Sequence, residues 1–175
     1  IVASCSPPGG GRNPVTPRLF RHFHMLWMPD LSENSMQLIF QQILRGFLCV
    51  DQKTSQYARL GDSLVKASVD IYQTVRRQLL PTPAKCHYTF NLRDLSKVIQ
   101  GVLQMNHHKY SNENDLVKLW VHEENRVFQD RLVNEKDREA WYQILLSKLT
   151  EHGEKTMTRE ECEELVFSDI ADKNK

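Results

Sequence analysis

From residue 32 onward, apolar residues recur three or four positions apart, the spacing that places side chains on one face of an α-helix. The first such stripe contains Met36, Phe40 and Leu44, and a later one contains Leu95 and Val98. The whole pattern predicts helices with apolar stripes over residues 36–48, 57–79, 92–103, 116–132 and 141–149. One-sided helices bury their stripes against one another, so we predict a bundle of four or five helices.

Residues that start or stop helices flank these stripes. Asn91 followed three residues later by Asp94 resembles a capping box at the start of the third helix. Pro81 and Pro83 are expected to end the second helix, because proline cannot continue one. Further candidate caps are Ser32 or Asn34, Asn134, and Thr158 with Glu161.

The first 30 residues follow a different pattern. Residues 1–5 and 23–28 are short apolar segments that are typical of buried strands. The proline and glycine run at 7–11 predicts a loop, and Thr16 can cap a short helix over residues 17–23 that begins with Pro17. A two-stranded sheet is marginal alone, so further strands are expected upstream of residue 1. The sequence therefore predicts a mostly α fold, in which the last strands of an α/β subdomain precede a helical bundle.

Composition narrows the classes of partner. The chain of 175 residues has 23 Lys and Arg against 22 Asp and Glu, which gives a net charge of +1. This balance argues against attraction to nucleic acid or to an anionic membrane. No apolar run approaches the ~18 residues that a membrane helix needs. We therefore expect neither nucleic acid nor membrane as a partner.

The cysteines and histidines give no sign of a metal site. The four cysteines are widely spaced without a CxxC pair, which is typical of reduced thiols in a cytosolic protein. His107 and His108 are adjacent, but no third ligand is evident. We therefore predict no metal.

Two stretches are more specific than composition. Residues 6–23, SPPGGGRNPVTPRLFRHF, and residues 87–101, HYTFNLRDLSKVIQG, resemble segments of the dynein heavy chain motor, an AAA+ ATPase. Residues 119–123, LWVHE, and 126–132, RVFQDRL, resemble the helix that follows in that family, and all occur in the family's order. The chain thus resembles the C-terminal part of one AAA+ module, with the third of the six modules and the axonemal branch favoured.

The resemblance implies a domain organisation. Residues 1–30 would be the end of the AAA+ α/β subdomain, 31–150 the helical lid, and 151–175 a linker leading to the next module. It also implies neighbouring AAA+ modules of the same heavy chain as partners, and the microtubule and the dynein intermediate and light chains through the parent protein. The implied location is the cytoplasm and cytoskeleton, in particular the axoneme of the cilium.

The chain lacks the parts that perform ATP hydrolysis. That reaction needs a GxxxxGK[ST] phosphate loop and a carboxylate pair on a following strand, and neither is in the sequence. The run from Gly9 to Arg12 is no substitute, because no Lys followed by Ser or Thr comes after it. We therefore expect the chain alone to be inactive and to hold no cofactor. ATP or ADP with Mg²⁺ would belong to the complete module.

Arg21 is the candidate arginine finger that the resemblance implies. It follows a short predicted helix, at the position from which such a residue reaches the nucleotide of the neighbouring module. Guanidinium is always protonated and offers a planar fork of donors to phosphate oxygens. Arg18, one helical turn away, is the second candidate, and an ion pair of Arg21 with a local carboxylate is the structural alternative.

Arg93 is the candidate sensor II residue, which would contact the γ-phosphate in this module's own site. It lies in the first turn of the predicted third helix, where exposed N–H groups and the positive end of the helix dipole favour phosphate. The alternative is a surface arginine paired with Asp94 or a nearby Glu. The sensor I position falls at Ser6, where active modules often have Asn, and this departure favours a regulatory nucleotide site.

Two other classes of function remain as alternatives. A helical protein-interaction scaffold without a nucleotide role would use the exposed face of the bundle instead of Arg93. A nucleic-acid-binding helical protein is disfavoured by the charge balance.

Overall fold

The structure is a computed structural model that describes residues 1–5, 15–50, 55–105, 112–152 and 157–167. It divides the chain into two compact units, Ile1–Leu31 and Ser32–Lys175. In the described part of the chain, no helix is both long enough and apolar enough to cross a membrane.

Among the described residues of the first unit there is one short helix, α1, over Pro17–Phe20. It is shorter than the predicted 17–23, and the side chain of Thr16 forms no capping hydrogen bond, although Pro17 does occupy the first turn. Helical turns continue only as far as the hydrogen bond that Phe23 N–H donates to the carbonyl of Phe20, at 3.0 Å.

The two predicted strands are wrong for the described residues. Neither residues 1–5 nor residues 23–28 form a strand, and Ile1, Val2, Leu26 and Met28 are exposed. A strand is stabilised by backbone hydrogen bonds to a neighbouring strand, and neither segment has such a neighbour within the described ranges. An apolar, β-branched segment therefore satisfies the sequence pattern for a strand without forming one.

The second unit is the predicted helical bundle. Within the described residues its helices are α2 Glu33–Leu48, α3 Ala58–Gln78, α4 Leu92–Val102, α5 Glu113–Phe128, α6 Glu135–His152 and α7 Arg159–Glu163. Single 3₁₀ turns cover Pro83–Lys85 and Gln129–Arg131. The main packing partners are α2 with α3, α3 with α6, and α4 with α5. The prediction of a mostly α fold with a helical bundle is therefore confirmed.

The capping residues start the helices largely as predicted. Of the two candidates for α2, Ser32 is the cap, and its hydroxyl accepts from the N–H of Ser35 at 3.2 Å. Asn91 and Asp94 form the predicted capping box at α4. Thr158 and Glu161 form the second one, at α7. These short-range hydrogen bonds use only nearby residues, which is why the sequence alone reveals them.

Aromatic side chains form the centre of the bundle. Phe128 and Trp141 are fully buried and stacked with ring centroids 5.4 Å apart, and Phe90 lies 5.7 Å from Phe128. Indole N–H groups need acceptors when they are buried. Trp141 Nε1 accordingly donates to Asn125 Oδ1 at 2.9 Å.

Helix α5 also buries a carboxyl group at its contact with α3. Glu124 is fully buried, and the Ser68 hydroxyl donates to its Oε1 at 2.6 Å. Trp120 Nε1 in turn donates to Ser68 Oγ at 2.7 Å. The other carboxyl oxygen, Oε2, has no hydrogen-bond partner within the described part of the chain. Burial raises the pKa of Glu124 to about 8, more than the Ser68 hydrogen bond lowers it.

Candidate functional site

Arg93 lies in the first turn of α4, and its side chain is exposed. Its backbone N–H donates to Asn91 Oδ1 at 2.9 Å, while Asp94 Oδ2 accepts from the N–H of Asn91 at 3.0 Å. The guanidinium of Arg93 has no ion pair with any residue in the described ranges, so the alternative of an Arg93–Asp94 pair is not what the structure shows. Its donors face solvent and are available to an anion.

The backbone at this helix start is less available than the sequence suggests. The N–H groups of Arg93 and Asp94 both bond to Asn91, at 2.9 and 3.0 Å. The buried carboxylate of Asp94 also places a negative charge in the first turn, where the helix dipole favours one. The expected attraction of exposed N–H groups for phosphate is therefore reduced, and the Arg93 side chain is the stronger candidate contact.

Arg131 connects this helix start to the end of α5. Its Nη1 lies 3.1 Å from Asp94 Oδ1, and its Nη2 donates to the carbonyl oxygens of His87 and Thr89, at 2.8 and 3.3 Å. The guanidinium also lies over the ring of Phe90, 4.8 Å from its centroid. One side chain therefore holds both the segment entering α4 and the capping carboxylate inside its first turn.

A second set of contacts joins the segment before α4 to the residues around the start of α6. Asp137 Oδ2 accepts from Lys85 Nζ at 2.5 Å and from the Tyr88 hydroxyl at 2.8 Å. The Tyr88 oxygen accepts from the N–H of Val133 at 3.0 Å. The hydrogen bond from Lys85 is the main reason why the pKa of Asp137 lies below its usual value. Burial is the main reason why the pKa of Tyr88 is raised.

A cleft opens beside the start of α4. It has a volume of about 280 Å³ and is lined by three cations, one carboxylate and three other side chains: Lys97, Arg126, Arg131, Asp94, Thr89, Asn91 and Val127. Arg126 is bound to Glu123 Oε2, and Arg131 to Asp94, so most of the positive charge is already neutralised. Arg93 is not part of this lining.

Arg21 follows α1 directly, and its N–H donates to the carbonyl of Pro17 at 3.0 Å. The side chain is exposed, and its Nε donates to His22 Nε2 at 3.1 Å. The described ranges contain no carboxylate paired with Arg21. Arg18, the second candidate finger, is exposed within α1.

Ser6, the candidate sensor I residue, and the pair His107–His108 lie outside the described residues. Arg21 and Arg93 belong to different units of the chain.

One group of side chains has the spacing of a metal site within the described ranges. Ligand atoms of Asp70, Glu151 and His152 lie within 4.8 Å of one another. His152 Nε2 lies 2.7 Å from Asp70 Oδ2, and Lys148 Nζ lies 2.5 Å from Glu151 Oε2. These contacts already supply both carboxylates with hydrogen-bond donors, and the contact of His152 with Asp70 joins the end of α6 to α3.

The sequence pattern did not reveal the roles of Arg131, Tyr88 and Asp137. Most of their partners lie more than 40 residues away along the chain, beyond the reach of helix periodicity and capping rules. The available signal was their nearness to the two stretches that resemble a known family, residues 87–101 and 126–132. The structure places those two stretches in direct contact.

Comparisons with known proteins find similarity in both parts of the chain. A family model described as AAA+ lid domain matches residues 64–167, and one described as P-loop containing dynein motor region matches residues 1–31. The chain is 49% identical to human dynein axonemal heavy chain 6 over 152 residues, which is 87% of this chain and 4% of that protein. It is 46% identical to human dynein axonemal heavy chain 1 over 169 residues, 91% of this chain and 4% of that one.

A third relative, human dynein axonemal heavy chain 12, is 37% identical over 183 residues, covering 97% of this chain and 6% of that protein. The chain thus spans only about a twentieth of the length of these relatives. The two family matches follow the same order along the chain as the two structural units. This chain therefore belongs to the dynein heavy-chain family of AAA+ proteins and represents part of its motor region, including the lid.

Proposed function

We propose that this chain supplies arginines to nucleotide sites of a dynein AAA+ ring, with Arg93 as the sensor II residue of its own module. The observation that carries the proposal is the exposed guanidinium at the start of a lid helix, without an ion pair in the described part of the chain. A charged donor left without a carboxylate is suited to bind an anion that comes from outside the chain.

The residues present suit one edge of a nucleotide site. Arg93 would contact the terminal phosphate of ATP, and Mg²⁺ with the nucleotide would be held by the phosphate loop of the complete module, which this sequence does not contain. The nucleotide supplies the phosphoryl group and the charge that changes on hydrolysis. Arg93 would bind ATP more strongly than ADP, because only ATP offers the γ-phosphate to its donors.

Arg21 is the proposed arginine finger for the neighbouring module. Its exposure and the absence of a bound carboxylate in the described ranges support this role. Such fingers contribute roughly 10³–10⁵ in rate where hydrolysis occurs. Ser6 is the proposed sensor I position, and a serine there favours a regulatory site over a fast hydrolytic one.

The proposed mechanism is conformational. Arg93 on the lid and Arg21 on the α/β side would respond to nucleotide in two different sites, so that loss of a phosphate moves the lid as a rigid body. The segment would belong to the third module of the ring, with neighbouring AAA+ modules as its direct partners. Its proposed place is the axoneme of the cilium, where the motor acts on microtubules together with intermediate and light chains.

The test compares arginine variants in the complete motor, with the phosphate loops of the other modules inactivated. Arg93→Ala is expected to lower the affinity for a non-hydrolysable ATP analogue roughly tenfold while the affinity for ADP changes little. Arg59→Ala is the matched control, because Arg59 is an exposed arginine on α3. An unchanged preference for ATP over ADP in Arg93→Ala would overturn the sensor II assignment.

Arg21 is tested at the neighbouring site, in a complete motor in which the phosphate loop of that neighbouring module is intact. Arg21→Ala is expected to slow hydrolysis there without changing nucleotide affinity at the site of Arg93. Arg18→Ala tests the second candidate in the same assay. If the rate falls only in Arg18→Ala, the finger is Arg18.

A protein-interaction role remains the second candidate because of the outer face of α2. Leu38, Ile39 and Ile43 are exposed there by 59, 44 and 45%, although the opposite face of the helix is buried. Such a face favours contact with another protein surface. In this second candidate, Ile43→Asp would disrupt assembly of the motor, and Arg93→Ala would have no effect on nucleotide binding.

A further inference from the structure

We propose that Arg131 is a positioning residue that sets where Arg93 is presented, although it does not touch nucleotide itself. This inference rests on the proposed sensor II role of Arg93. In this proposal, a movement of the lid bundle reaches Arg93 through one ion pair, that of Arg131 with Asp94.

The first step is the location of Arg93 between two anchored residues. Asn91 and Asp94 are joined by the capping box: the N–H of Asn91 donates to Asp94 Oδ2 at 3.0 Å, and the N–H of Asp94 donates to the carbonyl of Asn91 at 3.0 Å. Arg93 lies within that turn and contributes its own N–H to it. Its side chain has no ion pair in the described ranges. The position of the guanidinium is therefore set by the backbone of this turn, from which the side chain extends.

The turn is held through the carboxylate of Asp94, which pairs with Arg131. Asp94 is 5% exposed, and a buried carboxylate is costly unless it is paired. Arg131 Nη1 lies 3.1 Å from it, and the Arg131 side chain is itself only 30% exposed. Lys97 is the other cation near Asp94, but its Nζ lies 3.9 Å away and its side chain is 61% exposed. Arg131 is therefore the main partner of this carboxylate.

Arg131 also connects this turn to the junction between α5 and α6. Arg131 lies in the 3₁₀ turn that joins α5 to α6, and its backbone oxygen is 3.0 Å from His87 Nε2. Its Nη2 also holds the carbonyls of His87 and Thr89, just before α4. A shift of the α5–α6 junction would thus reach the first turn of α4 through one rigid, planar guanidinium.

The experiment measures the ratio of ATP-analogue affinity to ADP affinity in the complete motor, with the other modules inactivated. Arg131→Ala is expected to lower this ratio by a factor of about three to ten, because the turn that presents Arg93 loses its anchor. Arg131→Lys keeps the charge but cannot hold Asp94 and both carbonyls, so it is expected to restore the ratio only in part. Lys97→Met is the matched control and is expected to leave the ratio unchanged.

A double variant separates positioning from a general loss of stability. In the Arg93→Ala background, Arg131→Ala is expected to change the ratio no further, because the group that it positions is absent. Val98→Ala, which removes two methyl groups from a fully buried side chain of α4, is expected to lower the melting temperature without changing the ratio. If Arg131→Ala does not fold, the same comparison is made with Arg131→Lys.

The outcomes distinguish the two proposals. If Arg93→Ala leaves the ratio unchanged, the proposed sensor II role is wrong and the inference built on it is wrong as well. If Arg93→Ala lowers the ratio but Arg131→Ala does not, or lowers it equally when Arg93 is absent, only the positioning role is wrong. A ratio that falls in Val98→Ala as much as in Arg131→Ala also overturns the positioning role.

Discussion

The buried carboxyl group of Glu124 should make the stability of this bundle depend on pH. Its side chain is fully buried between α5 and α3, and Ser68 is its one described hydrogen-bond donor. Burial raises its pKa from 4.5 to about 8. In the unfolded chain the group would titrate near the ordinary value, so folding at neutral pH takes up a proton.

The sign and size of the pH effect on stability follow from the difference between the pKa values of Glu124 in the folded and unfolded states. Well below pH 4.5 the carboxyl is protonated in both states, and it imposes no ionisation penalty on folding. As the pH rises from 4.5 towards 8, only the unfolded state gains by ionising, so stability is lost across this window. Each pH unit fully inside the window costs about 1.4 kcal/mol, which gives about 3 kcal/mol between pH 5 and pH 7.5.

Glu124→Gln removes the ionisation and keeps the shape of the side chain. We expect the unfolding free energy of the wild type, relative to that of this variant, to fall by about 3 kcal/mol from pH 5 to pH 7.5. Urea unfolding followed by circular dichroism and tryptophan fluorescence at several pH values measures this difference. Asp137 does not interfere, because its pKa is lowered from 3.8 and its contribution is lost only at more acidic pH.

Glu139→Gln is the control for removing one carboxyl from the chain. Glu139 is exposed on α6, and this variant is expected to follow the pH profile of the wild type. A constant difference between wild type and Glu124→Gln at every pH would refute the reasoning. It would mean that the carboxyl ionises as easily in the folded protein as in the unfolded chain.

Three further predictions concern packing, capping and thiol reactivity. Gly101→Ala should destabilise the bundle by about 1–3 kcal/mol in urea unfolding, since its Cβ would lie 2.0 Å from Glu123 Oε2. Gly46→Ala has open space around the new Cβ and should stabilise the bundle by about 0.5–1 kcal/mol. Equal effects of the two substitutions would contradict this prediction. Asn91→Ala should cost about 1 kcal/mol, measured in the same way, because the cap of α4 is lost, whereas Asn91→Ser should retain most of the stability. Iodoacetamide should leave Cys162 of the folded protein unmodified, because burial raises the pKa of its thiol to about 11. Mass spectrometry should find the label on the exposed Cys5, Cys49 and Cys86. Rapid labelling of Cys162 would contradict its burial.

The sequence alone determined the helical part of this protein. Apolar stripes and capping residues act over three or four positions, so the bundle and the capping box at Asn91 follow from local rules. The resemblance to dynein also came from the sequence, because two contiguous stretches carried it. Arg93 was a candidate on the same basis, since it lies inside one of those stretches, next to a predictable helix start.

The tertiary structure decided what the local pattern leaves open. The segments at 1–5 and 23–28 have the composition of strands, but a strand needs a hydrogen-bonding neighbour, which local sequence does not specify. The ion pair of Arg131 with Asp94 and the burial of Glu124 against Ser68 join residues far apart in the chain. Such contacts depend on how the helices pack, so only the folded bundle shows which charges are paired and which guanidinium stays available.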